Sequence, residues 1–123
     1  MLAAYNATYT RVNAVFEMDF NATMQLIAST TNVIYYNPIT DPYSDPAAGA
    51  AGAWNGELGA TLQSVIGNAN YDIGHLFGDS GGGGNAGCIG CVCSTDNSKG
   101  TGFTSPSDGM PEGDFFDIDY VAH

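Results

Sequence analysis

The stretch Tyr71-Asp-Ile-Gly-His-Leu-Phe-Gly78 has the pattern of a β-strand. Every second side chain is large, which places these residues on one face of a strand: Tyr71, Ile73, His75 and Phe77. The glycine-rich segment 79–85 follows directly and is typical of a flexible turn. We therefore predict a strand over residues 71–77 that ends in this turn.

Two helices are predicted before this strand. In residues 1–19 the apolar positions recur at the +3 and +4 spacing of one helix face: Leu2, Tyr5, Tyr9, Val12 and Phe16. The second helix begins after Asn55, a suitable N-cap, and ends at Gly67, a suitable C′ residue. Its apolar stripe consists of Leu58, Leu62, Val65 and Ile66.

The segment between the two helices contains further strand patterns and a loop. Residues 23–28 alternate with the period of two that is typical of a strand, and residues 33–36 form a shorter β-prone run. Residues 37–53 contain three of the five prolines and predict a loop. With the strand over 71–77, the order helix, strand, helix, strand predicts an α/β fold with a mostly parallel sheet and covering helices.

The last ten residues, 114–123, predict a helix that reaches a histidine. Asp114 can cap this helix, and Phe116, Tyr120 and His123 share one face because they are spaced +4 and +3. A zinc-peptidase helix begins in this way and continues Glu-x-x-His, with two histidines on one face and the glutamate as general base. None of those further residues is within this chain, so we expect it to lack a complete catalytic zinc site.

Composition excludes several kinds of partner. The 123 residues are 44% hydrophobic, which fits one globular domain. Only two basic side chains, Arg11 and Lys99, balance the 13 acidic ones. The resulting net charge of −11 repels nucleic acid and anionic membrane surfaces. No apolar run approaches the ~20 residues that span a bilayer, and no signal-peptide pattern is visible. We therefore predict no nucleic-acid partner and no membrane partner.

Four segments, taken in order, resemble one family. Tyr71–Gly78 reads like a central strand that begins His/Tyr-Asp before a glycine-rich turn, and Gly87-Cys-Ile-Gly-Cys-Val-Cys93 like an edge strand that ends near a cysteine. Lys99-Gly-Thr-Gly-Phe103 reads like the strand that follows, and Val121-Ala-His123 like the approach to a first zinc ligand. Together they are similar to the N-terminal subdomain of a metzincin zinc metallopeptidase of the reprolysin (adamalysin-like) branch.

This resemblance implies a fold, a reaction and a site. The fold is α/β, with a mixed, mostly parallel twisted sheet, covering helices and an antiparallel edge strand. Residues 1–123 would form a single, incomplete catalytic domain that stops at the start of the active-site helix. The reaction is hydrolysis of peptide or protein substrates through a zinc-activated water in a secreted, extracellular parent protein, the present chain being inactive.

In the site that the resemblance implies, His123 is the first zinc ligand and the general-base glutamate lies after it, so no catalytic residue is within the chain. An extended substrate pairs with the implied edge strand, which consists of Gly87, Cys88, Ile89, Gly90, Cys91 and Val92.

The three cysteines of Cys88-x-x-Cys91-x-Cys93 have two interpretations. The CxxC spacing suits a metal site with His75 as a fourth ligand, but a structural disulfide or an unpaired thiol is favoured. In the resembled family, a cysteine at the end of the edge strand usually bonds to the C-terminal subdomain. His75 lies on an alternating strand, and we expect it at the core or its rim rather than on a metal.

The acids of the loops suggest calcium as a second metal. Asp41, Asp45 and Asp79 lie in loops and have the oxygen ligands that calcium takes, but they lack EF-hand spacing. We therefore expect solvated loop acids and regard calcium as unsupported.

A different class of function explains the same composition. A non-enzymatic acidic module that binds a partner or a glycan outside the cell accounts for the low charge density, the glycine-rich loops and the aromatic residues. An incomplete catalytic domain, by contrast, would leave apolar helix surface exposed at Phe115, Tyr120 and Val121, and we then expect self-association.

Overall fold

The first helix, α1, spans Leu2–Phe20 in a computed structural model that describes residues 1–123. It ends at Asn21, which adopts the left-handed conformation with φ 52°. Of the predicted stripe, Val12 is buried, Tyr5, Tyr9 and Phe16 are half-buried, and Leu2 is exposed. The predicted helix is confirmed, and its central turns supply the packed face.

A short helix, α2 (Pro46–Ala48), lies within the predicted loop over 37–53 and corrects that prediction. The Asp45 carboxylate caps α2 by accepting from the N–H groups of Ala47 and Ala48. A π-helical turn over Gly49–Ala53 then kinks at Gly52, whose φ of 121° suits a glycine. Helical structure therefore begins well before the expected start of the second helix.

The second predicted helix is α3, which spans Trp54–Val65. Leu58, Leu62 and Ile66 are buried as predicted. Val65 is 43% exposed and does not belong to the buried face. The N–H of Gly67 donates to the Leu62 carbonyl, as expected of a C′ glycine.

The proposed Asn55 cap is wrong, because Asn55 lies inside α3. Its side-chain amide instead donates to the backbone carbonyl of Thr101. This bond ties α3 to the segment that leads into the central strand.

Three short strands form one mixed sheet: β1 (His75–Phe77), β2 (Gly84–Asn85) and β3 (Gly102–Thr104). The order is β1-β3-β2, with β1 parallel and β2 antiparallel to the central β3. The α/β class with a mixed sheet and an antiparallel edge strand is therefore confirmed. Of the strand predicted over 71–77, only His75–Phe77 joins the sheet. Tyr71 is instead buried against α3.

The predicted strand over 23–28 is wrong. This segment runs irregularly into a 3-10 helix over Ala28–Val33, and residues 34–36 form no strand either. The side-chain amide of Asn13 on α1 takes the place of a partner strand: it accepts from the Met24 N–H at 2.8 Å and donates to the Met24 carbonyl at 2.9 Å. A backbone that is paired in this way needs no sheet neighbour.

The predicted edge strand over 87–92 is also wrong as secondary structure, because the antiparallel edge strand is β2. Gly87, Gly90 and Cys93 have positive φ values of 74°, 76° and 61°, which belong to turns rather than to extended chain. We call residues 87–93 the cysteine loop.

The core lies between α3 and the sheet. Leu58, Leu62, Ile66 and Tyr71 form its buried cluster. Lys99, from a 3-10 helix over Asn97–Gly100, is also buried there: its ammonium lies 4.7 Å from the centre of the Tyr71 ring and donates to the Asn68 carbonyl. This packing holds β3 in place.

Candidate active-site groove

A groove of about 760 Å³ lies beside the sheet, opposite the α3 core. Its walls are β2 with the cysteine loop on one side and residues 119–123 on the other. Side chains of β1, β3 and α1 contribute the floor: His75, Phe77, Thr104, Tyr9, Val12 and Phe16. The groove therefore has one wall formed by a strand and a turn, one helical wall and a mainly apolar floor.

The residues predicted for a site converge on this groove. His123 lines it from the end of the terminal helix, and Cys88, Ile89, Cys91 and Val92 line it from the cysteine loop. Gly87 and Gly90 belong to the same loop but are not among the lining residues. His123 is exposed, and Ile89 is 98% exposed at the tip of the loop.

The terminal helix is a π-helix over Phe115–Ala122, and it is docked by two adjacent residues. Phe116 is buried with its ring 5.7 Å from that of Phe77 on β1. Asp117 is buried beside α1, where Oδ2 accepts from Nε of Arg11 at 2.9 Å. These two contacts set where the helix, and with it His123, lies over the groove.

The predicted cap at Asp114 is wrong. Its carboxylate bonds to no N–H of the helix, and it pairs instead with a guanidinium nitrogen of Arg11. The interhelical ion pair therefore replaces the local cap.

The other wall begins with the free edge of the sheet. Gly84 and Asn85 pair with β3 on one side only, and both are exposed. A Cβ atom at Gly84 would lie 3.2 Å from the carbonyl oxygen of Phe103, so glycine keeps this backbone close to β3. An exposed edge of this kind can accept another extended backbone.

His75 is the second histidine of the groove, and the sequence pattern did not indicate that it lies on the same surface as His123. Its Nε2 is 2.8 Å from Oγ1 of Thr104, which lies opposite Phe77 in the parallel pair. Burial lowers the pKa of His75 to about 4, so the ring is neutral near pH 7. Its place at the rim of the core agrees with the expectation for this residue.

No three His, Cys, Asp or Glu side chains come together anywhere in the chain. A catalytic zinc takes three protein ligands and an open position, so the residues present do not make a complete zinc site. The loop acids are engaged locally: Asp41 accepts from the Tyr43 N–H and Asp79 from the Ser80 hydroxyl. They offer no shared cage for calcium.

Cys88 and Cys91 form a disulfide that closes the tip of the cysteine loop, and Cys93 is a free, exposed thiol. The disulfide and unpaired-thiol interpretation therefore holds for all three cysteines. Sγ of Cys93 donates to Asp72, and this hydrogen bond raises the pKa of the thiol. The thiolate is thus disfavoured, which is the opposite of an activated nucleophile.

In a comparison with known families, the model described as "Metallo-peptidase family M12B Reprolysin-like" matches residues 1–123. No curated protein and no solved structure matches the chain. None of the helices has the length and apolar character that crossing a bilayer requires.

Proposed function

Because this chain belongs to the M12B reprolysin-like metallopeptidases, we propose that residues 1–123 are the first part of a catalytic domain that hydrolyses peptide bonds with zinc. The family match covers the whole chain and not one motif. In this proposal the chain supplies the substrate-binding edge and one imidazole, and the general base and the remaining ligands come from residues after His123.

One observation carries the proposal: a single groove is lined both by His123 and by the free edge of the sheet with its cysteine loop. A peptidase needs these two parts next to each other, since the metal must meet the carbonyl of a peptide that is held extended. His123 is exposed at this place, so its imidazole is accessible to a metal.

For substrate binding we propose that an extended peptide pairs with the edge at Gly84 and Asn85 and runs along the cysteine loop from Gly87 to Val92. Backbone hydrogen bonds at a sheet edge hold a peptide without regard to its sequence, and side-chain pockets then select among peptides. The mainly apolar floor of the groove, with Phe16 and Phe77, favours apolar side chains in the substrate.

The parent protein is proposed to be secreted. The Cys88–Cys91 disulfide supports this location, because such bonds form and persist in oxidising compartments and are rare in the cytosol. The net charge of −11 disfavours retention on anionic surfaces.

The 123-residue chain by itself is proposed to be inactive. It has neither three metal ligands in one place nor a glutamate in the groove to serve as base. Incubation with a quenched fluorescent peptide, with zinc and with a chelator, is expected to give no hydrolysis above the buffer rate. Hydrolysis that the chelator abolishes would contradict this.

The test of the whole proposal is to read the gene past the codon for His123. A continuation Glu-x-x-His-x-x-Gly-x-x-His makes His123 a zinc ligand, and His123→Ala in the active protein is then expected to abolish both zinc retention and hydrolysis. Any other continuation would remove the ligand role and favour an acidic binding module.

A further inference from the structure

The two basic side chains of this protein, Lys99 and Arg11, both make contacts with other residues of the chain. Lys99 is buried between Asn68 and the Tyr71 ring, in the α3 core. Arg11 lies on α1 and reaches across to the terminal helix, where it meets Asp117 and Asp114. The chain's two ion pairs both use Arg11, so Arg11 is the one cationic side chain that meets an acid.

The two acids that meet Arg11 differ in burial. Asp117 is 3% exposed, and its Oδ2 accepts from Nε of Arg11 at 2.9 Å. The side chain of Asp114 is 83% exposed and faces solvent apart from its contact with the same guanidinium. The partly exposed Arg11 thus joins a buried carboxylate to an exposed one.

The buried carboxylate makes the docking of the helix depend on Arg11. Oδ1 of Asp117 is buried without a hydrogen-bond partner, so the Arg11 guanidinium is the only side chain that compensates its charge. A buried charge that loses its partner is costly, whereas a neutral group of the same shape is not. Without Arg11, the least costly response is for the helix to move and carry Asp117 into water.

We infer that Arg11 is a positioning residue, which holds the terminal helix, and through it His123, over the groove by neutralising Asp117. The inference rests on the proposed function in one respect, since His123 is taken as the group whose position matters. Arg11 itself is not among the residues that line the groove.

The test is hydrogen–deuterium exchange of the backbone amides in the intact 123-residue chain. Arg11→Met keeps the aliphatic stem and removes the charge. It is expected to increase exchange at least tenfold in residues 115–122 while α3, Trp54–Val65, is unchanged. Equal acceleration in both helices would mean general destabilisation and would overturn the inference, as would no change in either.

A second variant separates charge from packing. In Arg11→Met/Asp117→Asn the buried group is neutral, and protection of residues 115–122 is expected to return to within about threefold of the wild type. If Arg11 acts by packing alone, the double variant will be no better protected than the single one, and the inference fails. Should Arg11→Met not fold, Arg11→Lys with the same readout replaces it, and intermediate protection is expected.

The matched control is Asp114→Asn, which removes the exposed acid that shares the guanidinium. Its exchange is expected to match the wild type within about twofold, because a solvated carboxylate needs no neutralising partner. The experiment involves neither metal nor substrate. The exchange result therefore does not depend on whether the protein is a peptidase. Equally, an exchange result that contradicts the role of Arg11 does not argue against His123 as a metal ligand.

Discussion

Helix α3 and the terminal helix are both amphipathic, yet they are held in different ways. α3 packs its Leu58 and Leu62 into a continuous apolar cluster. The terminal helix buries one phenylalanine and one aspartate, and it leaves Phe115 61% exposed. Apolar burial tolerates small shifts, but a buried carboxylate is stable only while its partner is in place.

α3 therefore belongs to the scaffold of the fold, whereas the position of the terminal helix depends on an ion pair. α3 supports β3 and the floor of the groove, whereas the terminal helix forms one wall of the groove and ends at His123. Segments with few buried contacts open at lower free energy than the core. We therefore expect substitutions in α3 to unfold the chain and substitutions in the terminal helix to release that helix alone.

The largest effect is expected for Leu62→Ala. Leu62 is buried in the α3 cluster, and removal of such a side chain leaves a cavity that costs about 2–5 kcal/mol in the free energy of unfolding. Val65→Ala, on the exposed side of the same helix, should cost less than about 1 kcal/mol. Urea denaturation followed by circular dichroism measures both, and equal costs would contradict the described core.

A smaller effect is expected for Phe116→Ala. The substitution removes the buried ring that packs on Phe77. Because the short terminal helix can shift to fill part of the space, we expect roughly 1–3 kcal/mol, below the cost at a site that cannot collapse. Exchange should accelerate in the terminal helix before α3. Phe115→Ala at the exposed neighbouring position is the control and should change little; acceleration in α3 as well would show that the two helices are not independent.

We expect low pH to reduce the stability of the fold through His75, which lies in the floor of the groove. The pKa of His75 is about 4 in the folded chain and about 6.5 when unfolded, so only the unfolded chain gains this proton between those values. The stability from the neutral ring is fully present above pH 6.5 and is lost as the pH falls toward 4. At ~1.4 kcal/mol per pH unit the loss over this range is on the order of 3 kcal/mol, of which about 2 kcal/mol falls between pH 7 and pH 5.

The check is the free energy of unfolding of the wild type and His75→Gln at pH 7 and pH 5. The variant should lose less stability over this interval, and His123→Gln should behave like the wild type. If His75→Gln shows the same loss as the wild type, the pH dependence arises from the carboxylates instead.

The smallest effect is expected for association between copies. The exposed rings of Phe115 and Tyr120, both on the terminal helix, lie 5.0 Å apart, centre to centre. Light scattering should detect self-association that Phe115→Ser weakens several-fold. A monomer at all concentrations, in the wild type as well, would contradict this expectation.

Local patterns accounted for much of the scaffold and less of the groove. The apolar spacing around Val12 and Leu62 predicted α1 and α3, and Gly67 marked the end of α3. Alternation also predicted a strand over 23–28. In the structure, the Asn13 side-chain amide instead forms hydrogen bonds with the backbone of Met24. A period of two reports side-chain direction but not whether a partner strand exists.

Residue spacing within one segment and ordered motifs were enough to predict the helix faces, the glycine that ends α3 and the membership of a metallopeptidase family. It is the packed fold that makes β2 rather than the cysteine loop pair with β3, and that puts His75 and His123 at one groove. It also decided that Arg11 neutralises an acid more than 100 residues later in the chain. Such contacts join distant segments, and their free energy depends on burial and on a partner charge that no local period encodes.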